Sequence, residues 1–225
     1  MQTRFFQTAI KTIQHLLPTA ADLQRGVAKA GREYLRYIEV KCEGKRVDIT
    51  ACSGRILMRI RKEEEKCHHD GITILDKADI ARILKLSPNG GVFFRGAQIL
   101  ECDDPTDINC IPNPIDCRGE EFLRLNRIQV LEYNLIILPP PSPNDGVLFK
   151  PQFTDKVKRG DKVEFMGHEV DAFLLKKSLA PWVKSPVIFA KERWLYGMND
   201  WLCTAHLKTT VAGNECNVCL SVLAC

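Results

Sequence analysis

Three apolar-alternating segments follow one another between residues 34 and 60 with only tight turns between them, and this run constrains the fold more than any other part of the chain. Residues 34–42 alternate apolar and polar side chains, Glu43-Gly44-Lys45-Arg46 forms a turn, and residues 47–52 return. After Ser53-Gly54, residues 56–60 make a third strand. A meander of this kind must bury one face, so a helix has to lie against it.

Helical patterns stand on both sides of the meander. Phe5, Phe6, Ile10, Ile13, Leu16 and Leu17 recur at helical spacing over residues 3–17, with Thr3 as the expected N-cap and Pro18 as the stop. Residues 20–33 read as a looser polar segment. Beyond a charged loop at residues 61–70, a short strand at 72–74 leads to Asp76, which caps a helix carrying Ile80, Ile83, Leu84 and Leu86. Residues 92–102 then read as a hairpin. The order is that of an α+β unit with a repeated half.

Pro105, Pro112 and Pro114 mark residues 103–119 as a linker. The sequence thus divides into a first domain over residues 1–118, a second, shorter one over 119–202, and a Cys-rich C-terminal tail over 203–225. In the second domain residues 124–138 suit a strand or a helix equally, and residues 147–149 and 162–166 read as strands. A short helix is expected at 151–159, and residues 186–189 and 193–198 pair as a hairpin.

Composition narrows the class. With 225 residues, 45% hydrophobic and 27% charged, the chain can bury a full core, which excludes disorder, collagen and coiled coil. No run approaches the roughly 18 apolar residues of a membrane span, and residues 1–15 lack the apolar stretch of a signal peptide. A soluble cytoplasmic protein is expected, so the 10 cysteines read as reduced thiols. Cys42, Cys52 and Cys102 sit in alternating segments as small core residues. A formal charge of +4 permits an anionic partner without requiring one.

Two Cys/His groups invite a chemical reading. Cys203-x2-His206-x9-Cys216-x2-Cys219 offers two ligand pairs across a short loop, compatible with a tetrahedral zinc ion; a tail with incidental thiols gives the same pattern. Cys67-His68-His69-Asp70 could hold a cation or activate a thiol, but adjacent side chains point apart and the segment follows a run of charges. No phosphate-binding glycine loop, serine elbow or His-Glu-x-x-His helix is present, so no enzyme is expected and zinc is the one cofactor the sequence admits.

Residues 49–57, Ile-Thr-Ala-Cys-Ser-Gly-Arg-Ile-Leu, resemble the Thr-Ala-Thr-Asp-Gly-His-Arg-Leu segment of bacterial DNA polymerase sliding clamps. The surrounding order of helix, strands and helix is similar to a clamp domain of repeated strand-helix-strand units, and residues 153–165 and 185–188 resemble the last clamp domain. The resemblance implies two clamp-like domains and a non-catalytic, DNA-associated processivity or scaffold factor. Its partners would be double-stranded DNA and replication or repair proteins, with no membrane. The family's three-domain chain is one domain longer, so six domains would need a homo-oligomer of three copies.

In such a ring helices face the hole and their cations attract phosphates without reading bases. Arg4, Lys11, Arg82, Lys85, Lys156, Lys158 and Arg159 fall on polar faces of the expected helices, where an ordinary solvated face would look alike. The family's peptide pocket carries over only at Gly54 and Leu57. Ser53 replaces its Asp, Arg55 and Ile56 replace its His-Arg, and residues 196–200 replace its Met-Pro-Met ending, which implies a changed or absent peptide ligand. The rival reading is a zinc-stabilised nucleic-acid or protein-binding module using Cys203, His206, Cys216 and Cys219. An enzyme using Cys67 with a histidine is the third.

Overall fold

A computed structural model describes residues 1–27, 33–53, 56–63, 70–95, 98–103, 112–115, 148–149, 157–165, 168–179, 187–196 and 201–222. The expected opening helix is α1 (Thr3–Ile13), continued by a 3-10 turn (Gln14–Leu16). Phe6, Ala9, Ile10 and Ile13 are fully buried along one stripe. Thr3 is not the N-cap: it is the first helical residue, Gln2 caps without a side-chain hydrogen bond, and the Thr3 amide donates to the Gly90 carbonyl at 3.0 Å. Gln2 bridges to Gly91, which delivers that carbonyl to the helix end and makes a side-chain cap unnecessary.

The polar segment after Pro18 contains α2 (Ala20–Gln24), begun by a capping box in which Thr19 and Asp22 satisfy each other's backbone amides. A second 3-10 turn (Glu33–Arg36) replaces the start of the expected first strand, which begins four residues later than its alternation suggests. The meander follows as β1 (Ile38–Glu43), β2 (Arg46–Cys52) and β3 (Ile56–Glu63), with β4 (Gly71–Leu75) flanking β1. Asp76 caps α3 (Lys77–Ile83) as expected, accepting from the amides of Ala78 and Asp79. Strands β5 (Gly91–Arg95) and β6 (Gln98–Cys102) form the expected hairpin.

The proline-rich linker yields a strand. β7 (Asn113–Ile115) adds to β6 as an edge of that small sheet, where Pro114 costs no ladder hydrogen bond. Further on come β8 (Leu148–Phe149), the hairpin β9 (Lys162–Phe165) and β10 (His168–Asp171), and α4 (Ala172–Leu179), a helix the spacing analysis did not pick out. Asp171 begins it, accepting from the amides of Phe173 and Leu174. The helix expected at 151–159 is not formed over its last three residues: Lys158 and Arg159 sit in a turn, where Asp161 accepts from the Lys158 amide and Gly160 takes φ +90°. Residues 124–138 lie outside the described residues.

The chain closes with β11 (Val187–Tyr196), β12 (Trp201–Val211) and β13 (Asn214–Val222). The two strands expected as a hairpin at 186–198 are one strand, β11, with an irregularity between Ala190 and Arg193. The Cys-rich tail is a long hairpin. Ala212 and Gly213 at φ 47° and 79° make its two-residue turn, a geometry that follows the right-handed twist of the strands.

These strands assemble in the antiparallel order β4-β1-β2-β3-β13-β12-β11-β8, so β3 from the first half pairs with β13 from the last. Ile56, Met58, Ile60 and Cys216 are buried on one face of that seam. The core lies there, with α1 contacting β2, β5 and β12 and thereby covering both halves of the sheet. Gln7 of α1 donates from Nε2 to the carbonyls of Ile83 and Leu86 at 3.1 and 2.9 Å, tying α1 to the end of α3.

Candidate nucleic-acid interface

Four of the seven candidate phosphate contacts come from α1 and α3. Both helices bury their apolar stripe and turn their cations outward: Arg4 and Lys11 on α1, Arg82 in the last turn of α3 and Lys85 just beyond it are all exposed. The Gln7 bridge sets the two helices together, which places these four cations on neighbouring elements. Lys158 and Arg159 are also exposed, on the turn that precedes β9. The Arg159 guanidinium lies over the Phe173 ring of α4 at 5.4 Å, and the Ala172 amide donates to the Asp161 carbonyl, so turn and helix form one unit. Lys156 lies outside the described residues.

Lys176 and Lys177 on α4 are further cations, both only partly exposed, and spacing alone missed them because an eight-residue helix shows barely two turns of pattern. The signal available was Asp171 ahead of Ala-Phe-Leu-Leu, an N-cap followed by an apolar turn. Half-burial pushes the Lys177 ammonium below its ordinary value, while the charge of Asp22 on α2 favours it and that of Arg159 opposes it. Asp22 itself is held below the usual carboxylate range, chiefly by the hydrogen bonds from Thr19.

The four zinc candidates fall on the C-terminal hairpin, at separate positions of its ladder. His206 and Cys219 are cross-strand partners, but Cys203 pairs with Val222 and Cys216 with Thr209. Cys203 and Cys216 thus stand some six positions apart along the ladder, roughly 20 Å, with the His206–Cys219 pair midway between them. Cys216 is buried and burial raises its thiol strongly, which suits a core residue. Among the described residues no three His, Cys, Asp or Glu converge as metal ligands. Of the second group, residues 67–69 lie outside the described residues, and Asp70 accepts from the Gly44 amide at 2.7 Å, closing the β1–β2 turn.

Cys42 and Cys52 are buried, as expected of small core residues, and burial pushes the Cys42 thiol up to about 12. Cys102 is buried too, but it is disulfide-bonded, so the thiols are not uniformly reduced. Of the pocket pair, Gly54 lies outside the described residues. Leu57 is buried within the sheet, opposite Cys52 on β2 and Cys219 on β13.

The face of the sheet remote from Ile49, Met58 and Ile60 holds a charged group that sequence inspection did not single out. Asp48 on β2, buried, accepts two hydrogen bonds from its cross-strand partner Arg61 at 2.8 and 3.0 Å, with Arg46 and Arg59 at 3.6 and 3.9 Å. The Asp48 hydrogen bonds raise the Arg61 guanidinium, whereas burial lowers that of Arg59.

No protein-family model matches the sequence, and no curated protein matches it. Likeness lies in the fold. The DNA polymerase III beta subunit from Pseudomonas aeruginosa superposes over 100% of this chain and 66% of its own at 13% identity and a TM-score of 0.50. The Helicobacter pylori beta clamp bound to a DNA ligase peptide does so over 100% and 66% at 10% identity and 0.50. The beta chain of DNA polymerase III from Streptococcus pneumoniae TIGR4 covers 100% and 64% at 12% identity and 0.50. The chain spans about two thirds of the length of these clamps. An α+β chain whose helix α1 backs a continuous antiparallel sheet across two halves thus has the fold of the bacterial DNA polymerase sliding clamps.

Proposed function

We propose that this chain is a non-catalytic, DNA-associated factor that works in the manner of a sliding clamp, giving processivity to a polymerase or a scaffold to its accessory proteins. The observation that carries the reading is the set of exposed cations on one clamp-like framework: Arg4 and Lys11 on α1, Arg82 and Lys85 at α3, Lys158 and Arg159 beside α4. Lysine and arginine on helix faces bind phosphodiesters by charge and counterion release, which suits a protein that must hold DNA yet move along it. The Helicobacter pylori clamp was solved with a DNA ligase peptide, and replication or repair proteins are by likeness the partners in view here. Because the chain spans about two thirds of such clamps, encirclement would take three copies. Leu57 is locked into the sheet, so a clamp-type peptide is expected to bind weakly or not at all.

Fluorescence anisotropy with short duplexes of unrelated sequence tests the reading. Binding should be indifferent to sequence and weaken with salt by a slope of about 0.9 per phosphate contacted. The double change Arg82→Glu, Lys85→Glu should lower affinity at least about tenfold at low salt. No affinity at low salt, or affinity untouched by those changes, overturns it.

A further inference from the structure

His15 touches helices from opposite ends of the chain. It lies in the 3-10 turn after α1, with Nδ1 2.7 Å from the Thr12 carbonyl oxygen and Nε2 3.0 Å from the Lys177 carbonyl oxygen of α4. Thr12 and Lys177 both belong to the last turns of their helices, where unpaired carbonyls collect partial negative charge. Both of the ring's neighbours are therefore acceptors. A neutral imidazole has one N–H and an imidazolium two. The neutral ring serves one carbonyl and turns a lone pair toward the other, whereas the protonated ring serves both.

We propose that His15 is a proton-operated pin between α1 and α4, fastening one helix end when neutral and both when charged. The inference goes beyond the DNA reading and does not depend on it. The two carbonyls favour the charged ring, but burial outweighs them and holds its value below the ordinary one. Lys177, on the helix of the second carbonyl, also opposes the charge. Around Lys177 stand Asp22 of α2, which favours the ammonium, and Arg159 of the turn before β9, which opposes it. On the side of α1, Lys11 is exposed one turn back.

The sign of the linkage gives the pin a distinctive signature. With the folded value below the unfolded one, near 6.5, the unfolded chain takes up the proton first. The stability that neutral His15 contributes is thus present above about 6.5 and lost as pH falls below it. Below the folded value, however, the junction of α1 and α4 gains a second hydrogen bond. Acid should loosen the molecule globally while tightening it at one place, a combination that a merely buried histidine does not produce.

The test uses the full chain between pH 4.5 and 8. Ring nitrogen NMR follows the protonation of His15, and amide exchange, corrected for intrinsic rates, follows α4. The expected result is a His15 midpoint below 6.5 and protection of the last turn of α4 that rises about fivefold on protonation, the factor for one hydrogen bond of ordinary net worth. His15→Gln should abolish that rise. The wild-type titration stands alone if the variant does not fold. Protection that falls or stays flat as His15 protonates, or an equal rise in the variant, overturns the proposal.

Discussion

Asp48 shows how much a single side chain can hold in this fold. Its carboxylate is buried among three arginines of two strands, accepting two bonds from Arg61 and facing Arg46 and Arg59. A buried pair adds little over an apolar replacement, yet removing one partner strands the other. Asp48→Ala leaves the half-buried Arg61 and the more deeply buried Arg59 without their carboxylate. Denaturant unfolding should show a loss of about 3 kcal/mol, the lower end for breaking a buried pair, with Asp48→Asn in between. A loss within about 0.5 kcal/mol, typical of surface changes, would mean that water already screens the cluster. Gly90 is a residue of another kind, since a Cβ there would lie 2.7 Å from the Cys102 carbonyl oxygen. That close approach lets the strand end reach the amide of Thr3.

At the scale of elements, the sequence announces what is periodic and locally capped. α1, the β1–β3 meander, α3 with its Asp76 cap and the β5–β6 hairpin could all be read from spacing. The errors share a cause: tertiary pairing decides where local pattern is weak. Thr3 lost its capping role to a carbonyl brought from Gly90, and β7 formed over prolines because an edge was open beside β6. The C-terminal hairpin was obscured by its own chemistry. Cys203, His206, Cys216 and Cys219 drew attention to ligand spacing, while the alternation of residues 204–211, with Ala205, Leu207 and Val211 against Thr204, His206, Lys208 and Thr210, pointed to a strand. Of the candidate interface, the cations of α1 and α3 were readable from helical spacing; Lys176 and Lys177 were not, since α4 itself went unseen. The turn at Ala212-Gly213 offers a check on the hairpin. Gly213 sits at φ 79°, a conformation that costs other residues about 1–2 kcal/mol, so Gly213→Val should lower the unfolding free energy by at least that amount.

For the whole molecule, the decisive contact is the pairing of β3 with β13, which makes one sheet of two halves. Halves joined in this way should not unfold separately, and heating should give one transition by both near- and far-ultraviolet dichroism. Deleting residues 201–222 removes β12 and β13 and uncovers the edge of β3, with Ile56, Met58 and Ile60 behind it. Size-exclusion chromatography of that truncation should show aggregates in place of a folded shorter protein. A monomeric, cooperatively melting product would mean that the first half stands alone.

The same pairing carries a consequence for synthesis. The ribosome finishes β3 at Glu63, but the strand that covers its edge is complete only at Val222, about 160 residues later. At about 5–20 residues per second the nascent chain carries an open ladder for roughly ten to thirty seconds. During that time any other extended chain can dock on it. The seam that unites the finished protein is therefore also its longest period of vulnerability, and the folding yield of this chain in cells should depend on what shields β3 while the rest is being made.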